Sequence, residues 1–132
     1  MTTPKRKYTV FDYEELFNDI SFPQGYELFK KSNHLLNNLN APNVEIHSLY
    51  GVGVKTPENF EYDELENWYD KQPFINFGDG DGTVNKKSLI GFERWILKQN
   101  EKIYSRELQG VDHLQILKNK YTTEYILDLL YL

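Results

Sequence analysis

The residues best suited to chemistry lie in one short stretch, Phe77-Gly-Asp-Gly-Asp-Gly-Thr-Val-Asn85, and at His113 further along. Two aspartates among three glycines make a loop. Glycine weakens a helix or strand interior, and a carboxylate resists burial unless it is paired. Acids together can hold a cation, and an acid beside a histidine can move a proton. Three chemistries can be set against the stretch.

Calcium binding is the first. Asp79, Asp81 and Thr83 have the one-three-five spacing of an EF-hand loop. The pattern then breaks, because Val84 stands where the loop turns on glycine and Ile90 where a bidentate glutamate belongs. Phosphoryl transfer is the second. An apolar run leading into Asp-x-Asp-Gly-Thr-Val resembles the first motif of the haloacid dehalogenase superfamily. That resemblance would make Asp79 the nucleophile and Asp81 the acid/base, with magnesium held by a distant acidic pair. Downstream, Asp112 and Asp128 stand singly, and Gly78 sits where the strand should continue.

The third chemistry is an acid that orients a histidine. His113 follows Asp81 by 32 residues, with a helix and a strand expected between them. In α/β-hydrolases the order is serine, acid, histidine. Acid and base then sit on loops at the carboxyl edge of the sheet. A histidine so placed takes the proton of an attacking serine, and the carboxylate fixes its tautomer and steadies the imidazolium. The glycines let the loop turn tightly enough to aim a carboxylate at the imidazole. Asp81 is the choice for that role, with Asp79 serving backbone donors of the same loop. An Asp-Gly-rich turn with a structural histidine is the plain alternative. His34, on a polar helix, and His47, within a strand, read as structural.

The elements that must position these groups follow from periodicity. Thr9–Phe22 reads as a helix opened by a Thr9/Asp12 capping box, with Tyr13, Leu16, Phe17 and Ile20 on one face. Pro23-Gln-Gly25 breaks it, and Glu27–Asn38 reads as a second helix. Val44–Tyr50 is a strand ending on Gly51-Val-Gly53. Residues 54–72 read as irregular, and Phe74–Phe77 as a short strand running into the acidic loop. Lys86–Gln99 is a helix, Ile103–Leu108 a strand, Gly110-Val-Asp-His113 a turn, and Thr122–Leu132 a last helix. This alternation points to an α/β fold with parallel packing.

Composition narrows the function classes. Of 132 residues, 39% are hydrophobic and 15% aromatic, enough for a packed core. The net charge of -5 argues against nucleic acid or anionic membrane as an electrostatic partner. With no cysteine there is neither a disulfide nor a thiolate zinc site. No apolar run approaches a membrane span, and MTTPKRKYTV lacks the apolar core of a signal peptide.

Several ordered motifs carry a resemblance through nearly the whole chain. They are Tyr8-Thr-x-x-Asp12-Tyr13, Asp19-Ile-x-Phe22-x-x-Gly25, His47-Ser-Leu-Tyr-Gly-Val-Gly53-x-x-Thr56-Pro57 and the acidic loop itself, followed by Trp95, His113 and the final helix. The set resembles the family of lysosomal (group XV) phospholipase A2 and lecithin–cholesterol acyltransferase. The lysosomal branch looks closer, since Gly-Thr-Val-Asn follows Asp81.

The resemblance implies that Asp81 and His113 are the acid and base of a Ser-His-Asp triad. The family moves a phospholipid acyl chain, through an acyl-serine, to water or to a lipid alcohol, with no cofactor and no metal. Substrate and acceptor would be met at a membrane or lipoprotein surface, in the lysosome or outside the cell. The location of this particular chain is left open. Two departures stand out. Ser48 and Phe92 occupy positions where the family has cysteines. None of Ser21, Ser32, Ser48, Ser88 and Ser105 lies in a Gly-x-Ser-x-Gly elbow.

The expectation is therefore the C-terminal fragment of an α/β-hydrolase fold, holding the last strands and helices plus a cap-like helical segment. Residues 1–43 would be that segment, and residues 44–132 the part bearing the triad acid and base. The serine, the oxyanion hole and the membrane-binding segment would lie upstream. Alone, such a chain should show no esterase activity and fold poorly, with sheet edges exposed. A magnesium-dependent phosphatase and a non-catalytic lipid-binding module are the alternatives.

Overall fold

The computed structural model describes residues 1–36 and 39–131. Its strands and helices form two compact units, Met1–Asn40 with Asn59–Asn76, and Ala41–Glu58 with Phe77–Leu132. Both mix short helices with extended chain. No helix among the described residues is long and apolar enough to cross a membrane.

The first unit is organised by aromatic rings. Helix α1 (Tyr13–Asp19) and helix α2 (Pro23–Ser32) meet through Tyr13 and Phe29, whose ring centroids lie 4.6 Å apart. Gly25 is buried where they cross, and a Cβ there would come within 2.4 Å of the Phe17 ring. Trp68 is buried on a short 3-10 turn, with Tyr62 and Tyr8 against it at 4.9 and 5.8 Å. The Tyr8 hydroxyl donates to Asp19. Burial first, then the Asp19 carboxylate, pushes that phenol up to about 12.

Helix boundaries in this unit differ from the sequence expectation, for identifiable reasons. The helix expected over Thr9–Phe22 is only Tyr13–Asp19. Asp12 spends its carboxylate on the Thr9 amide and hydroxyl, at 2.7 and 2.6 Å, and sits at the N-cap without capping. Ser21, at φ 57°, ends the helical path. Pro23 does more than break a helix. It opens α2 at the first position, where its missing N–H has no partner to lose. The second helix expected over Glu27–Asn38 closes at Ser32 and continues as a 3-10 turn, Asn33–Leu36. Its expected residues 37 and 38 lie outside the described residues.

The second unit is built on a parallel pair. Strand β1 (Ile46–Val52) lies beside strand β4 (Ile103–Gln109), in register from Ile46↔Ile103 to Val52↔Gln109. Burial rises along β1, so Tyr50, Gly51 and Val52 at its carboxyl end are buried. The core therefore sits under the end of the sheet where the loops leave. Helix α4 (Lys120–Leu130) starts two residues earlier than expected, because Asn119 caps it by accepting from the Tyr121 and Thr122 amides. The last expected residue, Leu132, is outside the described residues.

The segment 54–72, expected to be irregular, is corrected. It holds strand β2 (Val54–Glu61) and the 3-10 turn Trp68–Asp70. Its pattern is hidden by Pro57, which a two-stranded sheet tolerates because every strand there is an edge. Thr56 in β2 is fully buried. Strand β3 (Phe74–Gly80) pairs with β2 and runs three residues beyond Phe77, through the glycines. The helix expected over Lys86–Gln99 reduces to α3 (Lys86–Leu89) followed by a 3-10 stretch, Ile90–Trp95. Gly91, next to that junction, has no side chain to favour helix over other conformations.

Candidate active site

Three chain ends converge within the second unit: β1 after Val52, β3 after Gly80 and β4 after Gln109. Each turns on a glycine with positive φ or a close approach. Gly110, at φ 72°, donates its amide to the Val52 carbonyl at 2.7 Å and sends the chain from β4 toward His113. Gly82, at φ 88°, turns the acidic loop, and its amide bonds the buried Thr56 hydroxyl at 2.9 Å. Gly51 admits the Val111 carbonyl, which would lie 1.9 Å from any Cβ placed there.

Asp81 and His113 are brought together. His113 Nδ1 lies 2.8 Å from Asp81 Oδ2, and the His113 amide donates to the Asp81 carbonyl at 2.9 Å. Side chain and backbone thus register the same pair of residues. The other carboxylate oxygen, Oδ1, accepts the Thr83 and Val84 amides at 3.0 and 2.7 Å. Asp81 is only 4% exposed. Burial is the strongest single influence on its carboxyl and opposes ionisation. The Val84 amide, His113 and the Thr83 amide together outweigh it and hold the group below the ordinary carboxylate range.

An ionised carboxylate can only accept, so Nδ1 carries the proton in this pair and Nε2 is left as an acceptor. The His113 side chain is 47% exposed, and Nε2 has no hydrogen-bond partner among the described residues. A ring held in this way can act as a general base through Nε2.

Asp79 does something other than expected. It serves no amide of its own loop. Its Oδ1 accepts the Gly53 amide at 2.7 Å, at the junction of β1 and β2, and Lys86 stands 4.0 Å from its Oδ2. The same-loop amides go to Asp81 instead. By periodicity Gly51-Val-Gly53 marks the end of a strand, and β1 in fact runs through Gly51 and Val52. The two glycines of this stretch are part of the site, and their tight spacing was the available signal.

The remaining residues singled out from the sequence lie elsewhere. His34 is exposed on the 3-10 turn Asn33–Leu36. His47 bonds Tyr125 through Nδ1 at 2.7 Å and Glu45 through Nε2 at 2.9 Å. Ser48 is on β1 and Phe92 on the 3-10 stretch after α3. Among the described residues no three His, Asp or Glu side chains group so as to hold a metal ion.

A family model described as lecithin:cholesterol acyltransferase matches residues 8–120. The rat (Rattus norvegicus) protein named lysosomal phospholipase A and acyltransferase is 42% identical over 124 residues, which is 94% of this chain and 29% of the rat protein. The human (Homo sapiens) protein of the same name is 40% identical over the same shares. A chicken (Gallus gallus) phosphatidylcholine-sterol acyltransferase is 37% identical over 122 residues, 92% of this chain and 29% of its own. The chain spans less than a third of the length of these relatives.

Proposed function

The chain belongs to the lecithin:cholesterol acyltransferase family, whose members include named phospholipases and acyltransferases, and on that premise we propose that it supplies the acid and base of a lipid acyl transfer. Asp81 is the acid and His113 the base. The observation that carries the reading is the 2.8 Å bond between His113 Nδ1 and a buried Asp81, with Nε2 left open.

The chemistry follows from that arrangement. A serine hydroxyl from outside the described residues attacks the carbonyl carbon of a phospholipid ester, and its proton passes to His113 Nε2. Asp81 stabilises the imidazolium and keeps the ring turned the same way throughout. The ester C–O bond breaks, and the leaving alcohol takes the proton back from Nε2. Water, or the hydroxyl of a lipid alcohol, then repeats the cycle on the acyl-serine, so that the acyl chain leaves on the new oxygen. No cofactor enters.

In this reading β1 and β4 are late parallel strands of an α/β-hydrolase sheet, with acid and base on loops beyond strand ends. Residues 44–132 belong to that domain, and residues 1–43 form a cap-like segment. Substrate and acceptor are met at a membrane or lipoprotein surface, in the lysosome or outside the cell. The lysosomal setting is supported by the names of the more similar relatives. The phosphatase reading is not favoured, because Asp81, its acid/base, is buried with both oxygens taken up by the Thr83 and Val84 amides and by His113.

The test is phospholipid deacylation, and acyl transfer to an added lipid alcohol, by the protein that carries this chain together with its serine. His113→Ala should abolish both, a loss of about 10⁴-fold or more. Turnover that survives the substitution would overturn the reading. Liposome co-sedimentation with no turnover in either protein would favour the lipid-binding module instead.

A further inference from the structure

The acid and the base come from different sheets. Asp81 follows β3, which pairs with β2, whereas His113 follows β4, which pairs with β1. No strand ladder joins the two pairs among the described residues. A hydrogen bond at 2.8 Å fails within about an ångström of drift. The His113 amide on the Asp81 carbonyl at 2.9 Å and the parallel bridge Val54↔Asp81 already tie the two loops.

A further tie is made at Gly53, the single residue between β1 and β2. Gly53, at φ 79°, turns its amide away from the β1 path and donates it to Asp79 Oδ1 at 2.7 Å. Two residues earlier, a Cβ on Gly51 would lie 3.4 Å from the Asp81 Cβ. Asp79 near the end of β3 and Asp81 just beyond it therefore face Gly53 and Gly51 at the end of β1, one pair in hydrogen bonding and the other in close packing. Gly53 is itself wedged from the β4 side, since a Cβ on it would lie 1.9 Å from Gln109 Nε2. Behind Asp79, Lys86 is held by Glu107 of β4 at 2.8 Å and stands 4.0 Å from the Asp79 carboxylate.

We propose that Asp79 is a positioning residue, whose bond to the Gly53 amide fixes the acidic loop against β1 so that Asp81 stays in reach of His113. This rests on the reading of Asp81 and His113 as acid and base. The Asp79 side chain is 49% exposed, so water can satisfy the Gly53 amide when the carboxylate is gone. A bond that is cheap to replace for stability but sets a distance should register in turnover more than in melting.

The experiment compares Asp79→Ala, Asp79→Asn and His113→Ala in the protein that carries the nucleophile. Asparagine keeps an oxygen acceptor for Gly53, and alanine does not. Asp79→Ala should lower kcat for ester turnover about tenfold with KM little changed, while Asp79→Asn stays within about twofold of wild type. The downfield His113 Nδ1–H proton resonance should be sharp in wild type and Asp79→Asn, and broadened or lost in Asp79→Ala.

Persistence of turnover in His113→Ala would topple the acid–base reading on which the proposal rests. Loss there, with wild-type kcat and an unchanged His113 resonance in Asp79→Ala, would overturn the positioning role alone. Equal impairment of the alanine and asparagine variants would also overturn it, because charge rather than the bond would then matter. So would loss of the cooperative melt in Asp79→Ala, which would make the bond structural.

Discussion

The two ends of the β1–β4 sheet each hold a histidine, and they use it in opposite ways. Near the amino end, His47 has both ring nitrogens engaged, by Tyr125 at 2.7 Å and Glu45 at 2.9 Å. Its ring stacks on Tyr104 at 4.8 Å, and its side chain is 19% exposed. Beyond the carboxyl end, His113 has one nitrogen on a buried carboxylate and the other open, with the side chain 47% exposed. A histidine with both nitrogens occupied is a joint between elements, here β1 and α4. One with a single nitrogen occupied by an ionised acid is oriented and still free to take a proton. The difference lies in what the neighbours leave vacant.

The sharpest way to break this contrast is to disturb both ends in the same protein. Asp81→Asn should lower ester turnover by about 10⁴-fold, since an amide in that place favours the wrong imidazole tautomer. His47→Phe should leave turnover within about twofold and destabilise by about 1–2 kcal/mol, through the hydrogen bonds of Tyr125 and Glu45. Turnover measured beside a denaturant midpoint separates the two effects. If His47→Phe abolished turnover at unchanged stability, the contrast between the two histidines would collapse.

Much of the carboxyl end was legible from the sequence. Asp-Gly repetition after an apolar run, followed by a glycine turn with a histidine, puts Asp81 and His113 on loops beyond strands, although β3 runs on through Gly80 where the loop is expected to begin at Phe77. Strand β4 and the turn after it also lie where periodicity puts them. What escaped was tertiary. Asp79 looks like a donor-satisfying loop residue, and only the approach of β1 shows that its partner is Gly53. Strand β2 was hidden by Pro57 and by acids on its exposed positions, because an edge strand in a two-stranded sheet needs no regular alternation. The helix limits near Asp12, Pro23 and Gly91 were set by competing local bonds and backbone freedom, which a 3.6-residue pattern does not record.

A second test addresses the space in which the loops bearing Asp81 and His113 meet. Gly51 has the Val111 carbonyl where its Cβ would stand, at 1.9 Å, and backbone cannot swing aside as a side chain can. Gly51→Ala should destabilise by about 1–3 kcal/mol through overpacking and also depress turnover by displacing the segment that leads to His113. Gly91→Ala is the matched control, since nothing lies within 4 Å of a Cβ there. It should leave turnover unaltered and match or slightly raise the melting temperature. Equal tolerance at both glycines would mean that the carboxyl end is looser than its contacts imply, and that the close approach at Gly51 does not set the histidine's position.

The smallest effect expected is in the pH dependence of stability, and its sign is fixed by Asp81. Burial raises its carboxyl, but the Val84 amide, His113 and the Thr83 amide together bring it below the ordinary value of about 3.9. Between the folded and unfolded values the unfolded chain binds more proton, so Asp81 contributes stability that is fully present above the ordinary carboxylate range. That contribution is lost as pH falls through the range toward the folded value. The denaturant-derived stability gap between wild type and Asp81→Asn should therefore hold steady above about pH 5 and narrow below about pH 4. A gap that instead stayed constant into strong acid would mean that the buried carboxyl keeps its bonds equally well when protonated. The carboxyl end would then owe its order to the glycine-framed backbone, with the Asp81–His113 pair seated on it as a consequence.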